Sequence, residues 1–490
     1  MTINDLLLLS PELAMAILAA VIITADLILK KKSPIPYIAL IGLLIPFCMS
    51  AYLAHRGPDE GFMGILKVDN FSIFIKYLVL IATGLVILSS TRYAQSFRKL
   101  QGEYYTLILL SATGMMLLAS ATEFITIYVA LELTSLPLAA LAALARNSKS
   151  AESGIKFLLL SAISSAVILY GMVLIYGLTG TSSLTEIAHV IGSQESTGSL
   201  LKSAALPFAT ILIISGFAFK LSAVPFQMWV PDVYEGSPTP ITAFLSVASK
   251  AAGFAIIMRV LYSAFSLESI SMDWANLIAV LSALSMTVGN LIAIKQDNIK
   301  RLLAYSTIAQ AGYIMIGLAA VATTSQGGNL SGPSGILFYL AGYIATNLAA
   351  FSVLIAVAFK TNSYAIGSFH GLYKRSPIMA FCMTISMLSL IGIPPTVGFM
   401  SKVYIFGAAV ETGFTWLAIV GVINSVVSAY YYLRIVKVMF LGEAADSENI
   451  RPDRALTIAL VSSGLATFIF GLYPSPIIHL AQQAAKDLIG

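Results

Sequence analysis

Charge is scarce in this chain of 490 residues. Asp, Glu, Lys and Arg together make up 10% of it, and 58% is hydrophobic; a soluble domain carries about 25% charge. That excludes a soluble globular protein. Cysteine is scarcer still: Cys48 and Cys382 lie far apart in apolar sequence, which excludes a disulfide framework and an iron–sulfur ligand set. His55, His189, His370 and His479 fall in or near loops, so no paired histidines could hold a haem or a metal. No phosphate-binding loop and no dinucleotide fingerprint after a strand-like run is present. The net charge of +5 is dispersed over loops and leaves no nucleic-acid footprint. The longest polar stretches, 179–203 and 442–454, read as loops. The first five residues carry no basic n-region, so the N-terminus reads as an uncleaved first helix.

What is present is apolar sequence in long runs. A membrane span needs about 20 apolar residues, and scanning on that basis gives about fourteen spans. They cover 6–29, 36–54, 70–90, 103–122, 123–145, 155–178, 204–226, 240–264, 273–294, 298–322, 335–360, 378–409, 414–440 and 455–475. The fourth and fifth are nearly continuous. Loop charge tests the count, because basic residues gather on the cytoplasmic side. They fall after odd-numbered spans: Lys30 to Lys32; Arg92, Arg98 and Lys99; Arg146 and Lys149; Lys295, Lys300 and Arg301; Lys360, Lys374 and Arg375; Lys437, Arg451 and Arg454. Loops after even spans are nearly bare, with Arg56 and Lys202 as exceptions. The loop after span seven carries Asp232 and Glu235 but no base. The alternation places both termini away from the cytoplasm.

Two spans are interrupted. Span seven contains Pro225, and span twelve contains Gly392-Ile-Pro394-Pro395-Thr-Val-Gly398. Proline removes a backbone donor and clashes with the preceding turn. The breaks sit five spans apart, so their hosts run in opposite directions, as two inverted five-helix repeats require. The expected fold is therefore an all-α polytopic membrane protein, a single integral membrane domain over residues 1–490. Repeat one would cover about 103–264 and repeat two about 273–440. Two ordinary proline kinks remain the plainer alternative.

A charge at mid-bilayer costs about 2.5–3.5 kcal/mol on insertion scales, so each one points to function. Glu132 lies near the middle of span five. Lys220 precedes the first break, and Lys250 lies roughly 15 Å into span eight. Lys402 follows the second break, and Lys156 opens span six. Lys76, Arg259 and Arg434 lie nearer span ends, where long side chains snorkel to the headgroups, and Lys156 could do the same. A desolvated lysine can lose its proton near physiological pH, and a nearby carboxylate opposes that loss. Glu132 close to Lys220 would hold a proton there. A row of such groups bridged by water can carry protons sideways through a membrane. Between Lys250 and Lys402, spans ten and eleven offer Tyr305, Ser306, Gln310, Tyr339, Tyr343 and Asn347, which could orient water or simply bond helix to helix.

At these residues the chain resembles a known family. Phe219-Lys-Leu-Ser-Ala-Val-Pro225-Phe-Gln-Met-Trp229-Val-Pro-Asp-Val-Tyr-Glu-Gly236, continuing through Ser249-Lys-Ala-Ala-Gly-Phe254, is similar to the signature of subunit N of NADH-quinone oxidoreductase, respiratory complex I. Leu131-Glu132-Leu, Asn298 to Tyr313 and Ser389 to Lys402 support the match, which covers essentially the whole length. The resemblance implies fourteen helices, two inverted repeats and proton translocation coupled to quinone reduction elsewhere in the complex. It carries the central ionisable roles onto Glu132, Lys156, Lys220, Lys250 and Lys402. It implies no cofactor in this chain; NADH, FMN, iron–sulfur clusters and quinone would belong to partner subunits. Other membrane and peripheral complex I subunits and the lipid bilayer are the implied partners, in a cell membrane. Gln227 departs from the family, whose members commonly have histidine there, which removes a titratable group beside the break. The alternatives are a multi-subunit sodium/proton antiporter, which shares the fold and similar lysines, and a purely structural membrane subunit.

Overall fold

The computed structural model describes residues 2–193, 204–320, 330–443 and 448–489; Lys202 and part of the uncharged loop after span ten lie outside them. It is a helical membrane protein. Among the described residues, twelve helices are long and apolar enough to cross a membrane: α1 (Ser10–Ile28), α2 (Ile35–Arg56), α3 (Asn70–Ser90), α4 (Gln101–Ser120), α5 (Phe124–Ala142), α6 (Ser148–Thr179), α8 (Thr239–Ala264), α9 (from Glu268, apolar over Ile270–Ala293), α10 (Ile299–Ala319), α11 (Ser331–Thr361), α13 (Thr415–Leu441) and α14 (Arg454–Leu472). Two shorter apolar helices, α7 (Ala205–Leu221) and α12 (Pro377–Ile391), stop where the proline signals stand. Each continues after a turn as a second half-helix, Trp229–Gly236 and Val397–Glu411.

The near-continuous fourth and fifth spans are separate helices. Ala121 and Glu123 each form a bridge to another segment, to Leu66 and Ser183, and this holds the chain out of helix between them. The 179–203 stretch, expected as a loop, contains a helix over Leu184–Ser193. Its Leu184, Ile187 and Ile191 are buried at the i, i+3, i+7 positions of one face. A further amphipathic helix, α15 (Ser475–Ile489), follows α14. Asp487 on it accepts hydrogen bonds from the Asn70 backbone N–H (3.0 Å) and side-chain amide (2.8 Å), tying α15 to the start of α3.

Burial sorts the helices into layers. α8, α10 and α11 are enclosed almost all round, whereas α2, α6, α13 and α14 are mostly uncovered. The uncovered faces are apolar: Ile155, Leu159, Ile163, Tyr170 and Val173 project from α6. In water such faces would demand partners, but hydrocarbon accepts them, and backbone groups are satisfied within each helix. A charge in the enclosed part of such a helix, as Lys250 is on α8, therefore has no route to water along its own side chain.

Candidate functional site

The two breaks share one construction. At the first, Ser222 turns left-handed (φ 64°) and the Ala223 N–H reaches back to the Ala218 carbonyl (2.8 Å), with Ser222 N–H on Phe219 (3.0 Å). At the second, Gly392 does the same (φ 91°), with Ile393 N–H on the Leu388 carbonyl (3.0 Å) and Gly392 N–H on Ser389 (3.0 Å). This is the Schellman end of a helix, placed inside the protein. It leaves carbonyls of the last turn without backbone partners.

A lysine ammonium occupies each helix end. Lys250 Nζ, reaching from mid-α8, donates to the Leu221 carbonyl (2.7 Å) and Ser222 Oγ (2.9 Å). Lys402 Nζ donates to the Leu390 and Ile391 carbonyls (3.2 and 2.8 Å) and to Ser425 Oγ of α13 (2.8 Å). Tyr313 presents its ring to the same ammonium at 4.1 Å. Both lysines are almost fully buried. A cation at a helix C-terminus meets the negative end of the macrodipole, so each break is a built cation site. Glycine is required at the second: a Cβ on Gly392 would lie 2.9 Å from the Lys402 stem, and one on Gly398 would lie 1.9 Å from the Ser389 carbonyl.

Lys220 is held differently. Its ammonium donates to Ser135 Oγ (2.8 Å) and Ser161 Oγ (2.7 Å), hydroxyls from α5 and α6. No direct ion pair with Glu132 forms, since Ser135, one turn further along α5, takes the ammonium; Glu132 is near enough to act on it through space, as expected. Glu132 is half-buried, with one carboxylate oxygen enclosed and unpartnered. A cavity of about 30 Å³ lies beside Lys220, lined also by Thr134, Ser135 and Ser249. Its walls are mostly apolar, but its volume and these few polar side chains suit one water between Lys220 and the neighbour of Lys250.

Lys156 lies away from this buried group. Its side chain is 39% exposed and pairs with Glu152 and Asp232, both at 2.6 Å. Arg301 pairs with Asp232 (3.0 Å) and Glu235 (2.8 Å), and Lys149 with Glu235 (3.1 Å). This network accounts for the unpaired acids after span seven: their bases come from α6 and α10. Burial raises the Asp232 and Glu235 carboxyls, but their ion pairs outweigh it and hold both below the usual carboxylate range. Gln227 stands in the turn of the first break, where its carbonyl accepts the Val230 N–H (3.0 Å).

Three basic residues differ from the sequence expectation. Lys76 and Arg259 do not snorkel. Lys76 is fully buried against Glu12 (2.8 Å), and Arg259 grips both Asp69 oxygens (2.7 and 3.0 Å) and the Ala119 carbonyl (2.7 Å). Their carboxylates stand on distant helix starts, and packing excludes water from both pairs. Lys300, counted with the cytoplasmic bases at the start of span ten, is buried in the first turn of α10. It donates to the Ser237 and Glu235 carbonyls (2.6 and 3.1 Å) at the end of half-helix Trp229–Gly236. It is a third lysine on a half-helix C-terminus. Span ten as read from the sequence, 298–322, already includes Lys300, and Asn298 caps the Lys300 and Arg301 N–H groups at its start. Arg434, by contrast, sits at an accessible helix end beside Asp297.

The polar residues between the lysines form bonded chains. Gln310 donates to the Leu390 carbonyl (3.0 Å), the one Lys402 also uses, and to Tyr432 (3.3 Å); Tyr339 donates to Gln310. Tyr343 donates to Thr307 (3.2 Å), and Ser306 meets Tyr432. Asn290 connects Tyr313, Tyr431 and Asn424. Tyr305 is only half-buried.

The family model for NADH:quinone oxidoreductase/Mrp antiporter transmembrane segments matches residues 121–428, more than half of the chain. A relative named NADH-quinone oxidoreductase subunit N, from Dehalococcoides mccartyi, is 41% identical over 98% of this chain and 99% of its own. Among solved structures, a chain of respiratory complex I from Thermus thermophilus with bound aureothin is 30% identical. It has a TM-score of 0.80 and covers 96% of this chain and 99% of that one. A chain of the Mrp complex from Dietzia sp. DQ12-45-1b reaches a TM-score of 0.83 over 100% of this chain and 98% of that one, but at 21% identity it shares the fold alone. On the end-to-end identity with that relative and on the family match, this chain belongs to the NADH-quinone oxidoreductase subunit N family.

Proposed function

We propose that this chain translocates protons as the antiporter-like membrane subunit of an NADH-quinone oxidoreductase, driven by quinone reduction in partner subunits. The observation that carries the reading is the pair of buried lysines, Lys250 and Lys402, seated on half-helix ends inside the membrane domain. Each would alternate between ammonium, held by the freed carbonyls, and amine. Lys220 and Glu132 form the next stage, with Lys156 at the accessible edge. The polar chain through Gln310, Tyr339 and Tyr432 leads on to Lys402 through the Leu390 carbonyl that Gln310 and Lys402 share. The shared construction of the breaks supports two inverted repeats, about 103–264 and 273–440, and about fourteen crossings when each broken helix counts once. NADH, FMN, iron–sulfur clusters and quinone would be held by other subunits. The sodium/proton antiporter reading has weaker support, since identity falls from 41% with the subunit N relative to 21% with the Mrp chain. Copurification with quinone-reducing activity separates the two.

Lys220→Ala and Glu132→Ala should each lower proton pumping in reconstituted vesicles by about tenfold or more, with the complex assembled. Wild-type pumping by both assembled variants would remove them from the relay.

Loop charge supports both termini on the non-cytoplasmic side of a cell membrane. Reporter fusions at Lys31 and Arg375 should then report cytoplasm, and those at Arg56 and Gly413 the opposite side. Matching reports from Arg56 and Arg375 would disprove this topology.

A further inference from the structure

Away from the lysine row, two cavities lie along the same three helices, α3, α11 and α14. The first, about 290 Å³, sits at their ends and is lined by Ser89, Arg92, Phe359, Lys360, Arg451 and Asp453, among others. The second, about 480 Å³, lies deeper and is lined almost entirely by apolar atoms, including Tyr77, Ile81, Leu85, Ile344, Ala466 and Phe470. On α3 the two are one helical turn apart, Leu85 to Ser89. From Leu456 to Phe470 on α14 they cover about 21 Å of helix axis, more than half of an approximately 30 Å hydrocarbon core.

Charge separates the two ends. Arg92, Lys360 and Arg451 bring three positive groups to the outer cavity. Lys360 pairs with Glu448, whereas Arg92 lies over the Phe359 ring at 4.2 Å. Neither Arg92 nor Arg451 has an ion pair among the described residues. Among the described residues the one carboxylate lining the cavity, Asp453, is engaged as the cap of α14, accepting from Thr91 Oγ1 (3.2 Å) and the Leu456 N–H (3.4 Å). The deeper cavity offers an occupant almost nothing but hydrocarbon.

We infer that this groove binds one anionic phospholipid, with its phosphate between Arg92 and Arg451 and an acyl chain along α3 and α14. A basic pocket between helix ends suits a phosphate headgroup. A separate apolar cavity one turn away on α3, though six residues away on α14 (Leu456 to Ser462) and ten on α11 (Ile355 to Ala345), suits the chain attached to that headgroup. A neutral amphiphile would leave the two arginines without a counter-charge, and a free phosphate would leave the deeper cavity unfilled.

The assembled complex in phosphatidylcholine vesicles can be probed with photoactivatable acyl-chain analogues of phosphatidylglycerol and phosphatidylcholine, with the labelled peptides mapped. The phosphatidylglycerol probe should label the Tyr77–Leu85 and Ser462–Phe470 segments more than about tenfold over the phosphatidylcholine probe. Arg92→Gln combined with Arg451→Gln should equalise the two, while Arg56→Gln, outside the groove, should leave the preference intact. Ala466→Phe, which fills the groove, should remove the label from both probes. Equal labelling in the wild type, a preference that survives the double substitution, or labelling that survives Ala466→Phe would each overturn the assignment. Displacement of the probe by inorganic phosphate would reassign the outer cavity to free phosphate. Absence of label at this face in the complex would mean that a protein partner covers it, and would also overturn the lipid.

Discussion

Lys402→Arg should assemble and still lose proton pumping by about tenfold or more. Arginine keeps a positive charge at the C-terminus of α12 and offers donors to the Leu390 and Ile391 carbonyls. The electrostatic seat of the break therefore survives. What arginine cannot do is release the proton, since the guanidinium stays charged at any physiological pH. A structural or purely electrostatic lysine would tolerate the change; a lysine that cycles would not. Lys402→Met sharpens the contrast, because it removes the carbonyl partners together with the charge and should lower thermal stability as well as pumping. Proton pumping in reconstituted vesicles, read beside assembly on native gels, decides the matter. Near-normal pumping by Lys402→Arg would falsify protonation cycling at this position.

Arg259→Leu should be the most damaging substitution for stability. It strands the Asp69 carboxylate, which is fully buried and also caps α3 by accepting the Ser72 N–H (2.8 Å). It also removes a donor from the Ala119 carbonyl at the end of α4. Leaving one partner of a buried ion pair uncompensated costs about 3–5 kcal/mol. The expected result is a large loss of assembled complex, or a marked fall in its inactivation temperature. Adding Asp69→Asn should recover much of that loss, because the stranded charge is then gone while an amide oxygen remains to cap α3. If Arg259→Leu assembles at wild-type levels with unchanged thermal stability, the pair is not what joins α3, α4 and α8.

The membrane character, the helix ranges and both breaks could be read from the residues. A bilayer demands about 20 apolar residues and no unpaired backbone, so spans stand out against any loop. Pro225 and the Gly392 to Gly398 run announce where that backbone is interrupted. The depth of Lys250 and Lys402 was visible in the same way, because helix rise converts residue count into distance. Lys156 shows the limit of that conversion: depth along a helix says nothing of which side faces a half-open ion-pair network. The amphipathic helices Leu184–Ser193 and α15 fell below a threshold set for full spans.

Partnership was decided by the tertiary structure. Lys250 seats on a helix end 29 residues back, Arg259 on an aspartate 190 residues away, and Lys300 on a half-helix from the other side of α8. None of these pairs leaves a period or motif in the sequence, because each is created by two helices packing at one depth. The same packing seated Lys220 on two serines with Glu132 nearby, and enclosed Lys76 and Arg259 where a route to the headgroups was expected. The sequence by itself determined that charges had to lie within a membrane; which carbonyl, hydroxyl or carboxylate would receive each one depended on helix packing, since a buried donor takes whichever acceptor the neighbouring backbone brings within about 3 Å.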